Sequence, residues 1–127
     1  MKNKNNFFIE TDILVEHLTN KGKSKSVLEK AVLKGVCFTS VINASELYFA
    51  AQNSEEKNAV DMLLRTINVL GLHSRYSLSI NSYNQKVKSV RDALICALVE
   101  NNNLTMVTNN NKKYKFAGIE LSDPESL

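Results

Sequence analysis

Acidic side chains occur at places in this sequence where packing alone explains them poorly. Each lies at the end of an apolar run or on the apolar face of a predicted helix. The candidates are Glu10, Asp12, Glu46 and Asp92, joined by the polar residues Thr108 and Asn110 after the apolar run 104–107. Carboxylates brought together without a basic partner repel one another and lose hydration. Because a fold that gathers them usually does so around a hard cation, the sequence predicts a metal site for phosphoryl chemistry.

Each candidate also has a purely structural explanation. Asp12, or Thr11 before it, fits the N-cap of a short helix. A capping box opened by Asn43, or a distant basic partner, explains Glu46, and a capping box opened by Ser89 explains Asp92. The asparagine-rich turn after the last apolar run is a weak signal by itself. The joint placement of the candidates, at two strand ends and two helix starts, is what favours a metal site.

Strand and helix signals alternate along the chain. Strands are predicted at 7–11, 36–39, 104–108 and, as an edge, 119–121, whereas 70–73 fits a strand or a loop. Helices are predicted at about 12–18, 26–35, 40–52, 54–67 and 90–100, and 77–89 has only weak helical spacing. This order predicts an α/β fold with three layers, in which helices cover both faces of a mostly parallel sheet of about four to five strands.

Domain organisation and the position of the site follow from this pattern. The whole chain, 1–127, is expected to form one domain with flexible ends at 1–6 and 122–127. Parallel α/β sheets bind ligands at the carboxyl ends of their strands. Residues two apart in a strand face the same side, so Glu10 and Asp12 are both predicted to point into that crevice.

The charge distribution is basic in the second half of the chain. The net charge is +3, and no acid occurs between Asp61 and Asp92 or between Glu100 and Glu120. Such a surface suits a polyanion, although a solvated lysine-rich surface explains it equally well. The side chains predicted to contact nucleic-acid phosphates are Lys21, Lys23, Lys25, Lys112, Lys113 and Lys115.

Cysteine and histidine usage argues against a structural zinc site. The chain has two cysteines, no Cys-x-x-Cys pair and two histidines. Cys37 and Cys96 lie in apolar runs, which predicts buried thiols in a reducing compartment. The apolar stretch near the N-terminus is too short for a signal sequence or a membrane span. We therefore expect a cytoplasmic protein without membrane association.

The candidates, taken in order, resemble the PIN-domain nucleases, in particular the VapC-type toxins of toxin–antitoxin pairs. The resemblance extends from Phe7 to about Leu121. It rests on four short motifs, Glu10-Thr11-Asp12-Ile13-Leu14, Glu46-Leu47-Tyr48, Asp92-Ala93-Leu94-Ile95-Cys96-Ala97 and Val107-Thr108-Asn109-Asn110. Three positions depart from the family pattern: Glu10 stands for its first aspartate, Asn43 for a threonine and Asn110 for the fourth acidic residue. The segment before Asp92 also lacks the glycine-containing loop of the family.

The resemblance implies a PIN-like fold and an endoribonuclease that depends on Mg²⁺ or Mn²⁺. Glu10, Asp12, Glu46 and Asp92 are then the expected metal ligands. The expected catalytic residues are Glu10, Glu46, Asp92, Thr108 and Asn110, of which the last two orient the attacking water. The resemblance further implies a single-stranded or looped RNA substrate, a cognate antitoxin protein and a homodimer.

Two alternatives to this function are a binding module and a receiver domain. Glu10 is one methylene longer than aspartate, and magnesium demands near-ideal octahedral geometry. Asp12 therefore remains an alternative first ligand, and a catalytically impaired module that binds RNA or a protein is the alternative function. A phosphoacceptor receiver domain is disfavoured because no aspartate ends the strand at 36–39.

Overall fold

A computed structural model describes residues 5–22 and 24–127 of the chain. The strands are β1 (Asn6–Ile9), β2 (Val36–Ser40), β3 (Asn68–Leu70), β4 (Thr105–Val107) and β5 (Glu120–Ser122). The helices are α1 (Thr11–Thr19), α2 (Val27–Lys34), α3 (Val41–Ala50), α4 (Ser54–Leu64), α5 (Tyr76–Ser79) and α6 (Val90–Asn101). Short 3₁₀ turns occupy Ile80–Tyr83, Asn111–Tyr114 and Pro124–Ser126. Within these described ranges, no helix is long and apolar enough to cross a membrane.

The sheet has five parallel strands in the order β3-β2-β1-β4-β5. The central strand β1 pairs on both sides, so that Phe8 lies opposite Phe38 of β2 and Met106 of β4. All five carboxyl ends therefore meet at one edge of the sheet. The predicted three-layer α/β fold is confirmed.

Alternation along β1 separates two apolar cores. Phe8 faces one side of the sheet, where it packs in a cluster with α6 and Met106. Phe7 and Ile9 face the other side and join a cluster with residues of α1 to α4. Because successive side chains of a strand point to opposite faces, a short apolar strand suffices to hold helices on both faces of the sheet.

The first strand is shorter than predicted. It ends at Ile9, and α1 begins at Thr11 with Glu10 as its N-cap. The Glu10 side chain accepts a hydrogen bond from the backbone N–H of Thr11. The prediction that Asp12 or Thr11 caps this helix is therefore wrong. Asp12 lies on the first turn of α1, not on an extended strand beside Glu10.

The elements after α4 differ in detail from the predicted pattern. Strand β3 begins at Asn68, earlier than the expected segment 70–73, and 77–89 contains only short helical turns before an irregular stretch. At the expected flexible end 122–127, Ser122 closes β5 and Pro124 is buried. Leu127 packs against the core cluster of α1 to α4.

Gly35, between α2 and β2, has too little space around it for any side chain. Its φ of −177° is an extended conformation open to any residue, but an added Cβ would lie 1.9 Å from the carbonyl oxygen of Asn5. That oxygen accepts the N–H of Val36 at 2.8 Å, so relief of the clash must disturb β1–β2 pairing. Gly35→Ala is expected to lower the free energy of unfolding by about 1–3 kcal/mol in urea denaturation. Gly71→Ala is the control, because an added Cβ meets nothing within 4 Å there.

Candidate active site

A cleft of about 480 Å³ lies at the carboxyl edge of the sheet. It is lined by Glu10, Thr11, Asp12, Glu46, Ser89, Arg91, Asp92, Asn110 and Lys113. The end of β1, the first turn of α1, the middle of α3, the start of α6 and the segment after β4 supply these residues. The structure thus gathers in one place the acidic residues that lie far apart in the sequence.

The guanidinium of Arg91 lies at the centre of the acidic group. Its Nη1 donates to Glu10 Oε2 and Asp92 Oδ1, both at 2.9 Å. Its Nη2 donates to Glu10 Oε1 at 2.9 Å and Glu46 Oε1 at 2.8 Å, and its Nε donates to Glu46 Oε2 at 3.0 Å. The five N–H bonds of arginine are therefore directed at three carboxylates. The expectation that these acids lack a basic partner is wrong, and the alternative of a distant basic partner for Glu46 is right.

Glu10 is the most enclosed of the acids. Besides Arg91, its Oε1 accepts from Asn43 Nδ2 and its Oε2 from the Tyr114 hydroxyl, each at 2.6 Å. Burial by itself raises the pKa of Glu10, but the hydrogen bonds from Arg91 and Tyr114 outweigh burial and hold the pKa below its usual value. Glu10 is thus a fixed carboxylate at the base of the cleft.

Glu46 lies at the more open side of the same group. Its side chain is 40% exposed, and its Oε1 accepts from Thr11 Oγ1 at 2.6 Å. Burial raises its pKa, but hydrogen bonds from Arg91 and Thr11 bring the pKa below the usual value. The capping box of α3 is formed by Ser40 and Asn43. A capping box opened by Asn43 is therefore the wrong explanation for Glu46.

Asp92 has both a local and a distant role. Its backbone N–H donates to the Ser89 side chain at 3.1 Å, which is the N-cap contact of α6. Its carboxylate instead faces the cleft, where Oδ1 meets Lys113 Nζ and the Tyr114 hydroxyl, each at 3.2 Å. The cap therefore accounts for the backbone at this position and not for the side chain. Lys113, predicted to contact phosphate, forms an ion pair with Asp92 in this structure.

Asp12 is separate from the group around Arg91. Its carboxylate accepts from Thr108 Oγ1 at 3.1 Å and from the backbone N–H of Asn109 at 2.8 Å. Thr108 Oγ1 in turn accepts the N–H of Asn110 at 3.0 Å. Asp12 thus fixes the segment that follows β4, and Asn110 lines the cleft beside it.

The predicted phosphate-contacting lysines fall into two groups on different elements. Lys21 and Lys25 lie in the connection between α1 and α2, and Lys25 lines a separate groove with His17 and Glu29. Lys23 lies outside the described residues. Lys112 and Lys115 are exposed near Lys113, in and after the turn Asn111–Tyr114.

Arg91, Tyr114 and Asn43 were missed as site residues by the sequence predictions. Arg91 carried one usable signal. It is the second residue of α6, where the helix dipole disfavours a cation, so an arginine there points to a specific acidic partner. No local pattern predicts that Tyr114 and Asn43 contact Glu10, because these contacts span 104 and 33 residues of sequence.

The cleft has the chemistry and the charge for a divalent cation. Four carboxylates face two cations there, which leaves an excess of two negative charges. Carboxylate oxygens are the donors that Mg²⁺ and Mn²⁺ prefer. In the part of the chain that the structure describes, however, no three such side chains form a ready-made metal site. The donor set fits a hard metal ion, but a guanidinium holds its centre.

Glu10 should make the stability of the protein sensitive to acid. A carboxylate whose pKa is lowered by folding contributes stability above its unfolded pKa of about 4.3, and that contribution is lost as the pH falls through the lower folded pKa. We therefore expect the melting temperature of the wild type to fall more steeply below about pH 5 than that of Glu10→Gln. Melting curves between neutral pH and pH 3 measure the difference. If the melting temperatures of the two proteins fall in parallel with pH, Glu10 does not have this role. Glu55→Gln, on the exposed face of α4, is the control, and its melting temperature should follow that of the wild type.

Comparisons with known proteins agree with this fold. A family model described as PIN domain matches residues 7–119. No match was found among curated proteins. The fold is similar to that of VapBC2 from Rickettsia felis bound to a promoter DNA fragment, with a TM-score of 0.77, 20% identity and coverage of 92% of this chain and 97% of that one. DNA-bound VapBC from Salmonella typhimurium gives a TM-score of 0.78 at 19% identity, covering 94% and 98%.

A more distant match has a described target. It is VapC20 from Mycobacterium tuberculosis, a toxin that cleaves the sarcin–ricin loop, with a TM-score of 0.58 and 15% identity over 89% of this chain and 95% of that one. At these identities the likeness concerns the fold alone.

Proposed function

The chain belongs to the PIN domain family, and we propose that it is a metal-dependent endoribonuclease, the toxin of a toxin–antitoxin pair. The observation that carries the proposal is the convergence of Glu10, Glu46 and Asp92 on one cation position at the carboxyl edge of the sheet. The similar fold of a toxin described as cleaving the sarcin–ricin loop supports RNA as the substrate.

In this mechanism Glu10, Glu46 and Asp92 would hold the metal, and Asp12 would assist. The chemistry that Mg²⁺ or Mn²⁺ would supply there is activation of a water and neutralisation of the charge that builds on the phosphate. Thr108 and Asn110 position the water or the substrate, and the bond from Thr108 to Asp12 keeps that segment in place. The lysines of the two groups, Lys21, Lys23, Lys25, Lys112, Lys113 and Lys115, contact phosphates and give affinity without sequence preference.

Cleavage of a labelled single-stranded RNA pool tests the proposal. We expect product with Mg²⁺ or Mn²⁺ and none in chelator. Glu46→Gln should lose most of the activity, because it removes one carboxylate from the cation position with little change in size. Glu55→Gln removes the same charge from an exposed surface and should cleave like the wild type. Cleavage that persists in chelator would contradict the metal dependence.

The partner that we propose is a small antitoxin protein that covers the cleft. One protein of similar fold is described as a toxin–antitoxin complex, and two others are described as VapBC. Exposed Val41 and Phe49 form an apolar surface next to Glu46, which suits a protein partner at the mouth of the cleft. Expression of the chain alone should slow growth, and co-expression of the co-encoded antitoxin should restore it. The homodimer and the cytoplasmic location remain proposals from the resemblance.

Two observations favour the alternative of a catalytically impaired binding module. Arg91 already satisfies the oxygens of three carboxylates, and Glu10 is longer than the aspartate of the family. An impaired module would bind RNA with a salt-dependent affinity and form no product with either metal. Fluorescence polarisation with the same RNA pool separates binding from cleavage.

A further inference from the structure

We propose that Arg91 is a tethered cation that holds the metal position and must leave before a divalent cation binds. The inference rests on the proposed function, because it describes how the same site is regulated. In this resting state the cleft is closed to metal by the chain itself.

The first argument is that the guanidinium and a metal need the same atoms. Arg91 takes both oxygens of Glu10, both oxygens of Glu46 and Oδ1 of Asp92, at 2.8–3.0 Å. These oxygens come from three different elements and meet at the arginine. Because one cation fills their common centre, a second cation cannot use them at the same time. Binding of Arg91 and binding of metal are therefore competitive.

The second argument is the charge of the cleft. With Arg91 and Lys113 in place, the four acidic side chains retain an excess of two negative charges. Exchange of the guanidinium for a divalent cation leaves an excess of one negative charge. Because the exchange brings the cleft closer to neutrality, the charge of the cleft favours replacement of the arginine by a divalent cation at this position.

The third argument is access. The Arg91 side chain is 25% exposed, whereas those of Glu10 and Asp92 are 5% and 4% exposed. The arginine thus lies on the solvent side of Glu10 and Asp92, whereas Glu46, at 40%, is more exposed than the arginine. It belongs to the first turn of α6, where the helix dipole opposes a cation. Its departure needs rotation about side-chain bonds and no unfolding of the helix.

Calorimetric titration with Mn²⁺, in the absence of RNA, tests the inference. Arg91→Gln removes the competing charge and should lower the Kd for Mn²⁺ at least tenfold relative to the wild type. Arg91→Lys keeps one charge but loses the planar five-donor group, so its Kd should lie between the two. Arg75→Gln, an exposed arginine on the N-terminal side of α5, is the matched control and should bind like the wild type.

An unchanged or higher Kd for Mn²⁺ in Arg91→Gln would overturn the inference. A Kd of Arg91→Lys that does not lie between those of Arg91→Gln and the wild type would also overturn it. Circular dichroism tests whether each variant is folded. If Arg91→Gln is not folded, the Kd of Arg91→Lys relative to the wild type decides whether Arg91 competes with the metal. The RNA assay separates this result from the proposed function. Metal-dependent cleavage with equal Mn²⁺ affinities contradicts only the inference. Tighter Mn²⁺ binding without cleavage by any variant supports the inference and contradicts the nuclease.

Discussion

Replacement of Asp92 by asparagine is expected to lower the rate of metal-dependent RNA cleavage by about 100-fold or more, since even a displacement of about 1 Å of a reacting group can cost that much. The substitution keeps the size of the side chain and its N-cap contact through the backbone. It removes one of the charges at the cation position, where Asp92 Oδ1 accepts from Arg91 and pairs with Lys113. Single-turnover cleavage with saturating protein measures the chemical step.

The control for this variant is Asp123→Asn. Asp123 is an exposed N-cap of the last 3₁₀ turn, and asparagine serves as well as aspartate at an N-cap. It should cleave at the wild-type rate. An Asp92→Asn protein that is folded and retains wild-type cleavage would remove Asp92 from the catalytic site.

The second large effect concerns stability. Glu10→Ala is expected to lower the free energy of unfolding by about 3–5 kcal/mol, the usual cost of breaking a buried ion pair from one side. Arg91 would lose two of its hydrogen bonds, and the buried Asn43 and Tyr114 would each lose a partner. Urea denaturation at neutral pH gives the difference. Glu55→Ala, on the exposed face of α4, should cost less than about 1 kcal/mol.

A double-mutant cycle identifies the source of that loss. If Glu10 acts mainly as the partner of Arg91, Glu10→Ala should cost clearly less in an Arg91→Gln background than in the wild type. Equal costs in both backgrounds would mean that the contacts to Asn43 and Tyr114, and the cavity, dominate.

The sequence predicted the elements that carry long apolar signals. The apolar runs of β1, β2 and α6 were found, and their alternation was enough to predict a parallel sheet with helices on both faces. The short helical turns within 77–89 could not be predicted from the sequence, because each is only one or two turns long. Such turns depend on tertiary packing of residues such as Tyr83.

For the site, the sequence predicted which acids meet but not what lies between them. Glu10 at a strand end and Glu46 and Asp92 on apolar helix faces could be identified, because a parallel sheet brings strand ends together with the helices that follow them. Arg91 was missed because its contacts with Glu10 span 81 residues, and no local pattern shows where a long side chain ends. The predicted end of β1 is two residues too late. Aspartate is a more common N-cap than glutamate, so the sequence points to Asp12 rather than Glu10 as the cap of α1.

Arg91 and the carboxylates that it contacts belong to one folded chain, and Arg91 is the immediate neighbour of Asp92 in sequence. A tethered group acts on its site at an effective concentration on the order of millimolar, whatever the amount of protein in the cell. In the proposed exchange, this local concentration sets a threshold for free divalent metal. The cleft would then respond to the concentration of free divalent metal around the protein. The metal concentration at which half of the molecules have exchanged the arginine would not change when the protein is diluted.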